Sequence, residues 1–497
     1  MFVRSIVCPH RLVPLQTLIA SSFYLPPDPP SNDALSAFLQ WCASKGFTQH
    51  KLVVAEFAET GRGMRAAGDI LIAIPATLLL TSTTPDVLSA CQPYTSAASL
   101  SEHAALAVFL AVERAKGAAS AYKPYVDVLP EAFGSVPAVG VGRMGEGWGA
   151  WVPEGVRDAT QRIRKKVRDD YALVMGLCLR CVEDHTRGDP PIQCTSCPTT
   201  PAAPYIPFAA FQWAWFAVNT RCVSLTSLPA TPQKRSTPSA SPAKPLTTHL
   251  WPPHLRACKI ALAPMLDFLN HGKDAKVEAG YSTNSSSSSS SSPDSEGYKI
   301  RTLVAYPANT EVFISYGAHS NEFLLAEYGF AIPGNECNFL TVDEGVWEVG
   351  FEGETGEGRE RARAVVEGVG LGREHTLHPH GEPSPRLLAL LRIRLLLVTT
   401  PNPLPPSAID ACWMELAPDL ERRVRRAVWG ICGRGLDDAR RSLAGLDGQG
   451  EEVGAGDLGD LSEELRELVR LVWTDAVGIF ERTMEWVREE DRAAGVH

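Results

Sequence analysis

Four cysteines stand at a C-x2-C-x12-C-x2-C spacing: Cys178, Cys181, Cys194 and Cys197. Two close pairs at that separation are near the pattern of a four-thiolate zinc site, which would be structural because four protein ligands leave no open position for water. The alternative is that Cys178 and Cys181 end a helix against the core while Cys194 and Cys197 sit in a Pro-rich loop. Three further segments carry residue types suited to binding or catalysis: Thr60-Gly-Arg-Gly-Met64, Pro264-Met-Leu-Asp-Phe-Leu-Asn-His271, and Ile314-Ser-Tyr-Gly317 followed by Asn321 and Tyr328-Gly-Phe330. The glycines allow close backbone approach to a ligand. Each segment taken singly also has an ordinary structural reading, as a turn, a hydrogen-bonded loop or a rim aromatic.

The elements that must position these residues follow from periodicity. Asn32 caps a helix running through Gly46, with Leu35, Phe38, Leu39 and Cys42 at helical spacing. Two β-rich runs, 52–58 and 70–80, flank the Gly61/Gly63 turn. Ser99-x-x-Glu102 is a capping-box signature ahead of Leu106, Phe109 and Leu110, and a further helix is predicted over 158–185. Its basic run, Arg162, Arg164, Lys165, Lys166 and Arg168, reads as a solvated face or as a docking patch for an acidic partner. Residues 299–306 and 311–316 alternate as strands do, and from Val365 onward the pattern is helical. Within 462–492, Leu465, Leu468, Val469, Val472, Trp473, Ala476, Ile479 and Phe480 form one apolar stripe.

In this order the motifs resemble the SET-domain methyltransferases, and among them the branch typified by the Rubisco large-subunit methyltransferase. The resemblance spans about residues 32–490. It is carried by the Gly-Arg-Gly turn with Asp69-Ile-Leu-Ile-Ala-Ile-Pro75, by Ser120-Ala-Tyr-Lys-Pro-Tyr125 with Leu129-Pro130, by Asn219-Thr-Arg221, by Asp267-Phe-Leu-Asn-His271, and by Glu311-Val-Phe-Ile-Ser-Tyr-Gly317 through Tyr328-Gly-Phe330. It implies an α+β fold: a β-rich, pseudoknotted SET core with a helical insertion, followed by an all-α C-terminal substrate-binding domain. The expected organisation is an N-terminal extension over 1–31, a SET domain over 32–335 with a helical insertion at about 85–217, and a helical domain over 336–497.

The resemblance also implies S-adenosylmethionine as cofactor and a protein lysine, presented to a channel, as acceptor. By similarity Thr60, Gly61, Arg62 and Gly63 line the methionine end, Arg221 meets the cofactor carboxylate, Asn270 and His271 hold its amino group and adenine, and Phe330 stacks near the adenine. Tyr316 is assigned beside the cofactor and the reacting nitrogen as the orienting catalytic residue, with Tyr281 and Tyr328 as channel walls. Asp267 is either a loop cap or a contact to the substrate. Leu225 stands where relatives carry a second arginine, which argues against Rubisco itself as target. Non-histone proteins such as ribosomal or translation proteins are the expected substrates. A histidine acceptor, or an inactive SET-fold interaction module, remains the alternative.

Composition sets the outer limits. The chain has 497 residues, 44% hydrophobic and 21% charged, with a net charge of −10. That excludes wholesale disorder and argues against general nucleic-acid binding, which needs a basic surface to displace counterions. The most apolar run, 387–398, is shorter than the roughly 18–20 residues that span a bilayer and is interrupted by Arg392 and Arg394, so no membrane partner is expected. Twelve cysteines, mostly scattered, fit buried thiols in a reducing compartment. Cytoplasm or nucleus is therefore expected, with a weak mitochondrial look in the acid-free first 27 residues. Residues 229–249 and 282–296, the latter with eight consecutive serines, cannot bury a core and are expected as disordered insertions.

Overall fold

The structure, a computed structural model, describes residues 5–7, 32–47, 53–55, 70–94, 100–140, 146–177, 204–225, 258–282, 297–305, 311–400, 404–447 and 461–495. The chain divides into two compact units, residues 1–133 with 164–317, and residues 134–163 with 318–497. The first unit ends at Gly317, the last residue of the Tyr316 motif, and residues 134–163 of the expected insertion belong to the second.

In the first unit, helix Asn32–Ser44 buries Phe38 and Cys42 but leaves Leu39 exposed. The N-terminal extension contributes more than expected: strand Ser5–Val7 pairs antiparallel with Val53–Ala55. A three-stranded antiparallel sheet is ordered Ile70–Pro75, Gly297–Thr302, Val277–Ser282. At Gly297 a side chain would drive a Cβ to 2.1 Å from the Ile74 carbonyl oxygen, so glycine permits the strands to meet. Helix Glu102–Lys116 is buried on nearly every side and packs against Phe208–Arg221. Its cap is Ser101, whose hydroxyl accepts from the Ala104 N–H, and not the expected Ser99. Glu102 instead turns its carboxylate to the Lys259 and Ile260 N–H groups, tying this helix to the strand that follows. The helix expected over 158–185 runs Glu154–Met175; Gly176, at φ 64°, ends it in the left-handed region that glycine enters freely. Of its basic run, Arg162, Lys165 and Lys166 are exposed.

The second unit is almost wholly helical. Helix Glu463–Ala493 is capped by the Ser462 hydroxyl and buries every residue of the predicted stripe. It packs along Pro418–Leu446, with Pro385–Thr399 completing the core. The two arginines that interrupt the 387–398 run are both buried. Arg392 donates to both carboxylate oxygens of Glu421, at 2.7 and 3.1 Å. Arg394 is fully buried against Glu354.

Helix Pro418–Leu446 carries interior glycines that cost roughly 0.5–1 kcal/mol each relative to alanine. At Gly435 an added Cβ would lie 2.2 Å from the Phe480 ring. Gly435→Ala is therefore expected to destabilise the unit by about 1–3 kcal/mol through overpacking, despite the better helix propensity of alanine. Thermal melting checks it, and an unchanged or raised midpoint would contradict the packing argument.

Candidate functional site

The site in the first unit is assembled by two short pairings. Strand Cys222–Ser224 pairs antiparallel with Ile260–Leu262, which in turn bridges Leu80 through two backbone hydrogen bonds of 2.9 and 3.0 Å. The Cys222↔Leu262 register puts Arg221, the last residue of helix Phe208–Arg221, beside the segment that leaves Leu262. That segment turns sharply at Met265, a buried non-glycine residue at φ 79°, ψ −40°, before the 3-10 turn Leu266–Phe268. Such strain is held only where surrounding structure over-determines the backbone.

The 3-10 turn places Asp267 inward. Arg221 donates through Nη1 to the Asp267 carbonyl oxygen at 2.8 Å and faces its carboxylate at 3.7 Å, with both side chains buried. The Tyr125 hydroxyl approaches the same carboxylate at 3.3 Å. Burial pushes the Asp267 carboxyl up to about 6, against the opposing pull of Arg221 and then of Tyr125. With a folded pKa above the unfolded value near 4, the native state holds a proton that the unfolded chain has released. The stability due to this group is thus present at acid pH and lost as pH rises through about 6. Asp267→Asn, which cannot titrate, is expected to flatten the stability-versus-pH curve between about pH 4 and 7 in urea melts; a curve parallel to wild type would place the slope elsewhere. Tyr125→Phe removes a bond to the ionised form and should move the transition to higher pH.

Immediately after this turn the chain is threaded against the Tyr316 segment. Ile314 N–H donates to Asn270 O and Gly272 N–H to Ile314 O, both at 2.9 Å, which makes the isolated parallel bridge His271↔Ile314. Residues 311–316 form no strand beyond such bridges. Their alternation does mark burial, since Val312 and Ile314 point inward. The Tyr316 N–H donates to His271 Nδ1 at 3.0 Å, and the Tyr316 hydroxyl donates to Leu269 O at 2.8 Å. Because a backbone N–H only donates, His271 Nδ1 must be the acceptor, and neutral His271 carries its proton on Nε2. The two rings lie 5.3 Å apart. Asn270 Nδ2 donates to Glu311 Oε1 at 2.8 Å, a second tie between the same two segments.

Of the residues singled out in the sequence, Arg221, Asp267, Asn270, His271 and Tyr316 thus gather in this knot. Tyr281 is buried in the sheet with Tyr298 as its cross-strand partner. Tyr328 and Phe330 belong to the second unit, at the end of helix Asn321–Tyr328, with rings 6.0 Å apart. Between them Gly329, at φ 77°, sits where a Cβ would meet Ser135 and Val136 at 2.7–2.9 Å. Thr60, Gly61, Arg62 and Gly63 lie outside the described residues, as do Cys178, Cys181, Cys194 and Cys197. So do residues 229–249 and 283–296. Among the described residues no cluster of His, Cys, Asp and Glu is arranged to hold a metal ion, and no two cysteines pair. Tyr125 and Glu311 are the working residues that residue-by-residue reading passed over. Both stand inside quoted motifs, where their polarity next to apolar neighbours was the available signal.

No protein-family model matches the chain. It is 30% identical over 311 residues to SET domain-containing protein 4 of Artemia parthenogenetica, covering 61% of this chain and 64% of that one. It is 29% identical over 303 residues to the mouse protein of the same name, covering 60% and 58%. Ribosomal lysine N-methyltransferase 2 of Saccharomyces cerevisiae is 26% identical over 255 residues, covering 46% and 44%. The chain thus spans about three fifths of the length of the first two relatives. Among solved structures, the SET domain of LSMT bound to lysine and AdoHcy matches with a TM-score of 0.54 at 14% identity, covering 94% of this chain and 93% of that one. Rubisco LSMT bound to sinefungin and monomethyllysine matches at 0.53 and 14%, covering 93% of each chain.

The chain thus shares the fold of these SET-domain structures. Its sequence is similar to SET domain-containing protein 4 and to a ribosomal lysine N-methyltransferase, and its fold to that of Rubisco LSMT.

Proposed function

We propose that the protein is an S-adenosylmethionine-dependent protein-lysine N-methyltransferase of the cytoplasm or nucleus. Its substrate in this reading is a non-histone protein, ribosomal and translation proteins being the favoured class. The observation that carries the proposal is the double anchoring of Tyr316, by its N–H on His271 and by its hydroxyl on Leu269 O. The likeness to a ribosomal lysine methyltransferase supports the substrate class.

The donor set fits the cofactor's zwitterionic methionine end in one specific respect: Arg221 Nε is buried without a hydrogen-bond partner among the described residues. A buried guanidinium N–H left unmatched favours a ligand that brings an acceptor, such as a carboxylate. The cofactor, when bound, supplies a methyl group on a sulfonium.

The remaining chemistry falls to the chain. A hydroxyl that gives its proton to Leu269 keeps its oxygen as an acceptor, so Tyr316 can take an N–H of the incoming amine and aim the nitrogen lone pair. Such positioning supplies much of the barrier reduction in a displacement. Lysine is charged at neutral pH, and a desolvated site near a positive sulfonium favours its neutral form, the proton leaving to water. Tyr316, already committed as a donor, serves as an orienting residue and not as the base. The Arg221–Asp267–Tyr125 group holds the 3-10 turn from which Leu269, Asn270 and His271 emerge.

The test is transfer of label from S-adenosylmethionine into cell-extract proteins, with the modified residue identified by mass spectrometry. Label on lysine of a ribosomal or translation protein supports the full reading. Label on histidine replaces the acceptor but keeps the class. Absence of both transfer and cofactor binding would point to an inactive interaction module.

A further inference from the structure

The second unit contains a cavity of about 630 Å³ between helices Pro418–Leu446 and Glu463–Ala493, the start of helix Glu154–Met175 and the segment around Thr341. That volume lies within the roughly 300–1,000 Å³ of small-ligand sites. Its apolar walls include Trp151, Trp473 and Phe480. These rings are fixed in place: Trp473 Nε1 donates to Trp151 O at 2.8 Å, and Phe480 and Trp151 rest on Gly435 and Gly445, where a Cβ would come within 2.1–2.2 Å of each ring.

The charges lining the cavity do not cancel. Arg157 pairs with Glu344, Arg441 with Asp438, and Arg434 with Glu348 at 3.6 Å. Glu154 and Glu322 have no cationic partner among the described residues. Among the described residues Glu154 accepts only the Glu344 N–H, at 2.6 Å. Glu322 is 3% exposed; its Oε2 accepts from the Thr341 N–H and hydroxyl at 3.1 and 2.9 Å. Its Oε1 is buried with no hydrogen bond of acceptable geometry among the described residues, although the neighbouring Gly155 N–H also acts on the carboxylate. Leaving a buried acceptor unmatched is costly, and more so when it is charged.

We propose that this cavity is a second binding site, which takes an organic cation with an apolar stem, an alkylammonium or a guanidinium. The stem packs on the aromatic walls, where cation–π attraction adds to burial, and the charged head meets Glu322 and Glu154. The carboxyls are suited to this role: burial pushes Glu322 up to about 7 and Glu154 up to about 8, so each carries part of a proton near neutral pH and releases it when a cation arrives. The same chemistry is offered by a basic side chain of a protein and by a free amine. The inference stands apart from the methyl-transfer reading, since the cavity is built wholly from the helical unit.

Isothermal titration calorimetry on the full chain separates the outcomes, with agmatine as the free cation, a capped Ala-Arg-Ala peptide as the side-chain form, and butylurea as an uncharged control that keeps the four-carbon stem. The expected result is binding of agmatine or the peptide, the tighter one identifying the source. Proton release should appear as a buffer-dependent heat, and affinity should fall about tenfold or more in Glu322→Gln. Thermal melting checks that this variant folds; if it does not, Glu154→Gln and the butylurea comparison decide. The proposal is overturned if neither cation binds at millimolar concentration, if butylurea binds as well as agmatine, or if the folded variants bind as wild type does.

Discussion

In the proposed reaction, Tyr316→Phe is expected to lower the rate of methyl transfer roughly 10²- to 10³-fold, the usual loss when one preorganised polar group is removed from a reacting centre. The same change should cost the fold only about 1 kcal/mol, the net worth of one partly exposed hydrogen bond. The asymmetry arises because the phenylalanine ring can keep its place 5.3 Å from His271, and the backbone N–H bond to Nδ1 does not involve the lost oxygen. What disappears is the acceptor held by Leu269 O. Initial rates with saturating labelled cofactor, read beside a thermal melt, separate the two effects. A variant within a few-fold of wild-type rate would remove Tyr316 from the transfer site.

Glu354→Ala should be the most damaging single change in the helical unit, at about 3–5 kcal/mol, because it strands a buried charge. Arg394 is fully buried; it donates to both Glu354 oxygens at 2.8 and 2.9 Å, to Val349 O at 2.8 Å and to Val346 O, and its guanidinium lies 4.9 Å from the Trp347 ring. Burial already holds its pKa below the ordinary arginine value, with Glu354 the chief counterweight. Against a total stability of about 5–15 kcal/mol, the loss should leave the unit marginal. Replacing both partners with apolar residues, Glu354→Leu with Arg394→Met, should recover much of it, since a buried pair is costly to break and cheap to exchange for packing. Urea denaturation of single and double variants measures this; a single variant within about 1 kcal/mol of wild type would mean that water reaches the arginine.

Residues 387–398 show how far reading along the chain extends. Their leucines lie in the buried helix Pro385–Thr399, and among the described residues no helix is long and apolar enough to cross a membrane. That Arg392 and Arg394 are themselves buried was not legible, since their partners lie 29 and 40 residues away. The 311–316 segment makes a similar point: alternation predicts which side chains turn inward, and Val312 and Ile314 do, but it carries no information about pairing such as the bridge from Ile314 to His271. The helix cap moved from Ser99 to Ser101 because Glu102, free of the capping role, binds the backbone at Lys259 and Ile260, 157 and 158 residues on.

By itself the sequence determined the local elements and the order of the motifs. The stripe of helix Glu463–Ala493 and its Ser462 cap depend only on spacing within a few turns, where burial of one face and a single side-chain hydroxyl suffice. Tertiary structure alone decided which motif residues meet. The His271–Tyr316 bond closes over 45 residues, Arg221–Asp267 over 46 and Tyr125–Asp267 over 142. Among the described residues it also left Glu322 and Glu154 without cations in a pocket walled by aromatics. Spacing specifies a face, but a partner at such separation is fixed only when long loops close and buried polar groups must each find a match.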